Sequence, residues 1–185
     1  MNRLIICSIA LSATALLAPA AEPAKTPVNK IFDQQLRSVE REVVSLAEAM
    51  PADKYSFAPT KGDFAGVRTF AQQMTHIAFV IYSVSSATLQ EPNPTQPGTS
   101  ENGPSSIQGK EQVVKYLKDA FVYAHKAMNS LTEQNLTDPV KSAFGNGDAP
   151  RISMATVAVW HTFDHYGQAV VYARMNGITP PASRR

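Results

Sequence analysis

Cysteine is almost missing from this 185-residue chain: there is one, Cys7, and it lies among the first ten residues. That start, MNRLIICSIALSATALLAPA, reads as a leader rather than as part of a fold. Arg3 gives it a positive head, Leu4 to Leu17 an apolar run, and Ala18-Pro19-Ala20 the small-residue pattern that a signal peptidase accepts. The run is shorter than the roughly 20 residues that span a bilayer comfortably. Residues 1–20 are therefore expected to be a signal peptide, cleaved after Ala20 or Ala21, and the mature protein periplasmic or secreted. Removal of the leader leaves a chain with no thiol, which excludes disulfides, thiolate metal ligands and cysteine nucleophiles together. A metal ion in such a chain has only nitrogen and oxygen donors to choose from.

Charge of one sign is also scarce. Seventeen Lys and Arg stand against fifteen Asp and Glu, for a formal net charge of +2. No basic run interleaves with aromatics, so nucleic acid is not expected as a partner. Three catalytic or cofactor patterns are missing as well. No E-x-x-H occurs, which leaves a di-iron carboxylate bundle without support. No C-x-x-C-H occurs, which excludes covalent c-type haem. The segment HTFDH has two histidines at the right spacing but lacks the glutamate of H-E-x-x-H.

What the chain does have is helical periodicity. Residues 21–27 are Pro-rich and polar, a flexible leader to the fold. From Val28 to Met50 there is neither Gly nor Pro, and Ile31, Leu36, Val39, Val43, Leu46 and Met50 recur at helical spacing. Pro51 ends this helix. PADKYSFAPTKGDFAG reads as an ordered loop, with Tyr55, Phe57 and Phe64 tucked against the helices. A second helix is predicted from about Val67 to Leu89, then a long exposed loop through QEPNPTQPGTSENGPSS. A third helix runs from about Gly109 to Leu131, burying Val113, Val114, Leu117, Phe121 and Met128. A fourth runs from about Ser153 to Asn176, with Gly177 in place for a left-handed cap and Pro180-Pro181 beyond it. No strand pattern competes. The expected fold is all-α, a four-helix bundle occupying residues 28–181.

The helix turns 100° per residue, so His161 and His165 lie about 40° apart on one face of helix 4. Met154, Val157, Gln168 and Tyr172 share that face, which is apolar at its start and polar in its middle. A buried polar group without a partner costs about 1–3 kcal/mol, so the polar middle calls for an occupant or a partner. Helix 2 offers one in His76, on a face with Phe79, Val80 and Ser83. One imidazole from helix 2 and two from helix 4 can converge on a metal ion and leave a coordination position open. An open position can hold a water and lower its pKa, or polarise a substrate oxygen. The alternative for His76 is a core residue bonded to a carbonyl, and for the pair on helix 4 a spacing that arises by chance. His125 on helix 3 is expected beside the site or at the surface. Asp164 is either a support for a ligand or an exposed carboxylate. Gln168 and Tyr172 either contact a bound molecule or bond across the core. Trp160 points away from the ligand face and is expected to pack. Arg68 and Arg174 are expected in ion pairs with acidic neighbours, with a role in substrate binding as the lesser alternative. No catalytic residue is assigned.

PADKYSFAPTKG before helix 2, FAQQMTHIA on it, and WHTFDHYGQAVVYARMNGITPP at the end together resemble the DinB/YfiT-like superfamily, over about Val28 to Pro181. The resemblance implies an up-down-down-up four-helix bundle with a divalent metal, zinc or nickel, held at His76, His161 and His165. Homodimers are common among the superfamily's members. Characterised members include thiol-dependent transferases and isomerases of the cytoplasm; the leader of this chain departs from them. Two functional expectations follow. One is an exported metal-dependent hydrolase or group transferase acting on an unidentified small molecule. The other is a non-catalytic metal-binding or ligand-binding bundle.

Overall fold

The structure, a computed structural model, describes residues 25–95 and 100–184. The expected signal peptide and cleavage point lie outside the described residues, as do most of the segment expected to be a flexible leader and part of the long loop after helix 2.

Four helices form: α1 (Val28–Ala49), α2 (Phe70–Leu89), α3 (Gly109–Asn129) and α4 (Arg151–Met175). Each of α1 and α2 packs on both α3 and α4. The directions follow from cross-helix bonds. Early α1 meets late α3, as in Asp33 with His125, while Glu48 of late α1 meets Lys118. Late α2 meets late α3, as in Ser86 with Tyr123, and Glu91 just beyond α2 pairs with Lys126. Gln73 of early α2 meets Gln168 of late α4, and Arg151 at the start of α4 bonds the Thr88 carbonyl. The order is thus up, down, down, up, as the resemblance implied. Among the described residues no helix is long and apolar enough to cross a membrane.

The predicted bounds move by a turn or less, each for a local reason. α2 starts at Phe70 and not at Val67, because Thr69 caps it. The Thr69 hydroxyl accepts from the Gln72 amide at 3.2 Å, and the Gln72 side chain accepts from the Thr69 amide at 2.9 Å. This reciprocal box satisfies two amides that an open helix end would leave unpaired. α3 ends at Asn129, two residues short of expectation. α4 begins two residues early, at Arg151, directly after Pro150. At its far end Gly177 takes φ 76°, and the Ile178 amide donates back to the Ala173 carbonyl at 2.9 Å, the expected left-handed termination.

The connection between α3 and α4 departs from an all-helix reading. Strands β1 (Pro139–Lys141) and β2 (Asp148–Pro150) pair antiparallel. Three residues each, with a proline at an outer end of both, are too few for an alternation of apolar and polar residues to be visible in the sequence. The hairpin buries Val140 and carries Phe144 toward α2 and α4.

The core is the shared interior of the four helices, with Leu36, Val43, Phe70, Met74, Ile77, Leu117, Phe121 and Met128 fully buried. Three expectations about apolar residues fail. Ile31, in the first turn of α1, is 44% exposed; Phe64 is 41% exposed and covers Gly62 instead of the bundle; Trp160 is 57% exposed rather than packed. Tyr55 is buried as expected, its hydroxyl donating to the Ala47 carbonyl at 2.6 Å.

Candidate metal centre

His76, His161 and His165 come together between α2 and α4. One ring nitrogen from each lies within 4.8 Å of the others. His76 and His165 are buried and His161 is half-buried. The Nε2 atoms of His76 and His161 stand 3.1 Å apart. Two nitrogens on one tetrahedral ion with bonds of about 2.0–2.1 Å would stand about 3.3 Å apart, so the spacing fits a shared ion.

The tautomers are set from outside. His76 Nδ1 is 2.6 Å from the Glu101 carbonyl oxygen. A carbonyl only accepts, so Nδ1 carries the proton and Nε2 presents a lone pair to the cluster. His165 Nδ1 is 2.5 Å from Gln73 Oε1. Gln73 Nε2 donates to Gln168 Oε1 at 3.0 Å, and Gln168 Nε2 reaches Asp164 Oδ2 at 3.4 Å. The carboxylate at the end can only accept. It therefore orients both amides and leaves Gln73 Oε1 to take the proton of His165 Nδ1. His165 Nε2 is thereby also free of a proton.

Electrostatics agree. Burial, first of all, and then the neighbouring imidazole of His76 and the charge of Arg68 push the His161 pKa down to about 4. Burial, followed by His161 and His76, brings His165 to about 4. Burial also lowers His76, against its bond to the Glu101 carbonyl. Three neutral imidazoles at neutral pH are what a divalent cation needs as ligands.

A cavity of about 490 Å³ opens over the cluster. It is lined by all three histidines, by Arg68, Ser83 and Glu101, and by Phe79, Val80, Ala143 and Phe144.

The other candidates fall as follows. Asp164 is exposed and hydrogen-bonds Gln168, which links it through Gln73 to His165. Gln168 belongs to that relay. Tyr172 is buried and its hydroxyl donates to the Arg68 carbonyl at 3.2 Å, fixing the approach to α2. His125 lies outside the cluster, bonded to Asp33 at 2.6 Å and Glu40 at 2.9 Å on α1. Arg68 pairs with Glu101 at 3.3 Å as expected of it, whereas Arg174 finds the Ser183 hydroxyl in place of an acid.

Two contributors escaped the sequence reading. Gln73 sits three residues before His76, hence on the same helix face, and its polarity on an apolar face was a usable signal. The Glu101 carbonyl carries no such signal, since any residue type supplies one. It arrives because Gly103, at φ 82°, lets the loop lie against α2: a Cβ there would stand 3.2 Å from the Thr75 carbonyl.

Similar proteins were found by fold. A DinB-like protein from Bacillus cereus superposes with a TM-score of 0.64 at 18% identity, over 82% of this chain and 95% of that one. A conserved protein from Enterococcus faecalis gives 0.65 at 15% identity, over 82% and 98%. A DinB-like protein from Bacillus subtilis gives 0.57 at 17% identity, over 80% and 94%. No curated protein sequence matches the chain. The sequence pattern of the DinB superfamily matches residues 35–169. With that match across most of its length and this bundle as its fold, the chain belongs to the DinB superfamily.

Proposed function

We propose that His76, His161 and His165 bind one divalent metal ion, zinc or nickel, and that the protein is an exported metal-dependent hydrolase or group transferase. The observation that carries the reading is the tautomer control. His76 and His165 each have Nδ1 tied to an acceptor, which leaves Nε2 of each unprotonated, and His76 Nε2 stands 3.1 Å from His161 Nε2 within the cluster of three imidazoles. A histidine kept merely as a core residue would not need its second nitrogen aimed at two other imidazoles. An ion held there would supply Lewis acidity toward a water or a substrate oxygen in the cavity. The protein's own part is to keep the three rings neutral and fixed, and to line the cavity with apolar Phe79, Val80 and Phe144 together with the cation Arg68.

Zinc titrated into metal-stripped protein should bind at about one per chain, and His165→Ala should weaken it by at least 100-fold. Screening of ester, amide and group-transfer substrates with the loaded protein then tests catalysis. Activity that survives complete removal of metal sinks the enzyme reading; equal zinc binding by His165→Ala sinks the site.

A non-catalytic metal-binding or ligand-binding bundle is the second reading. It is favoured by the placement of the carboxylates, since Asp164 is turned to Gln168 and the Glu101 side chain to Arg68. The open cavity over the histidines favours the enzyme. Export rests on residues 1–20. Protein recovered from the periplasm should begin at Ala21 or Glu22, and an N-terminus at Met1 would refute it. A homodimer, if formed, has an apolar surface available on α4, where Trp160, Phe163, Val171 and Met175 lie exposed along one side.

A further inference from the structure

Arg68 is held in an unusual way for a residue in a loop. Its carbonyl accepts from the buried Tyr172 hydroxyl at 3.2 Å, and its Nε donates to Asn102 Oδ1 at 2.7 Å. Only 29% of its side chain is exposed. Yet it lines the cavity over the histidines, and its charge reaches all three of their rings. The guanidinium is thus fixed in direction before anything binds. Its remaining partner is weak. Nη2 lies 3.3 Å from the Glu101 carboxylate, whose side chain is 75% exposed. An exposed ion pair of that length contributes little. Phe79, Val80 and Phe144 line the same cavity and offer apolar surface.

We propose that the cavity takes a small carboxylate-bearing molecule with an apolar body, whose carboxylate displaces that of Glu101 on Arg68 while the body packs on Phe79, Val80 and Phe144. The Glu101 side chain is itself the indication of the ligand's chemistry, because it already seats a carboxylate on this guanidinium. Arginine's planar fork suits a planar carboxylate, and the geometry is pre-organised by Asn102 and Tyr172. A pocket with apolar walls and one fixed polar group is the usual design for orienting a small ligand. The proposal rests on the metal reading only in placing the bound molecule beside the ion; the anion seat itself belongs to Arg68.

Hexanoate is a suitable probe, with hexanamide as its uncharged counterpart. Binding is measured by calorimetry on the zinc-loaded full chain, with zinc content determined for every variant. Glu101→Gln removes the competing carboxylate and should tighten hexanoate by about threefold or more. Arg68→Met should weaken it by about tenfold or more, and Arg68→Lys by less, because lysine keeps the charge and loses the fork. Zinc content should not change, and hexanamide should bind weakly to all. Hexanoate binding equal in Arg68→Met and wild type overturns the proposal, as does hexanamide binding as tight as hexanoate. If Arg68→Met fails to fold, Glu101→Gln and Arg68→Lys decide, and no gain in Glu101→Gln is then fatal. If wild type takes up no zinc, the metal reading fails by itself, and the same comparison on metal-free protein still decides the seat.

Discussion

The three imidazoles differ in what holds them. His76 leans on a backbone carbonyl, which has little freedom to move, whereas His165 leans on the Gln73 side chain, and through it on Gln168 and Asp164. Gln73 is 2% exposed, so its amide has no water to fall back on. Replacing it with leucine of similar size should preserve the fold, leave His165 Nδ1 without an acceptor, and free the ring to rotate. Zinc affinity should fall about 10–100-fold in a competition titration; unchanged affinity would mean that the relay does not orient the ligand. The pair His161 and His165 was readable from spacing alone, because 40° is forced by helix geometry. The role of Asp164 was readable only halfway. Its position on α4 is a property of the helix, but its route to His165 passes through a residue on another helix, and no spacing rule connects the two.

Between elements, the loop before α3 is as much a part of the centre as the helices are. Gly103 packs where a side chain would meet the Thr75 carbonyl at 3.2 Å and the Tyr116 ring at 3.5 Å, and its φ of 82° disfavours any L side chain. Gly103→Ala should destabilise the protein by about 1–2 kcal/mol in urea unfolding. It should also lower zinc affinity by about tenfold, since the displaced loop carries the carbonyl that fixes His76. A variant equal to wild type in both measurements would show that the loop is not held where the structure places it. On the opposite side of the bundle, α1 and α3 are joined by a different device. His125 has both ring nitrogens on carboxylates, Asp33 and Glu40, and Asp33 also accepts from Arg37 at 2.8 Å. The amphipathic pattern of α1 and α3 announced that they would pack. It did not announce this clamp, whose members are 85 and 92 residues apart in sequence.

For the molecule as a whole, these buried groups make stability depend on pH in one direction. His161 and His165 titrate near 4 in the folded chain, against about 6.5 when unfolded. Asp33 is also lowered: burial alone would raise it, but the bonds from His125 and Arg37 outweigh burial. In every case the unfolded state binds protons first: the histidine contribution is full above pH 6.5 and is lost as pH drops toward 4, whereas that of Asp33 is lost only as pH falls below 3.8. The melting temperature of metal-free protein should decline by on the order of 5 °C between pH 7 and pH 4.5. A flat profile would mean that the histidines are neither buried nor neutral as described. The sequence by itself determined the four helices and the histidine pair on α4, because apolar periodicity, prolines and caps act over a few residues; the β1–β2 hairpin lay beyond it. Only the tertiary structure decided that His76 meets that pair, that Gln73 and a loop carbonyl set the tautomers, and that Arg68 faces the same cavity. These contacts join residues far apart in the chain, and packing rather than local geometry selects them.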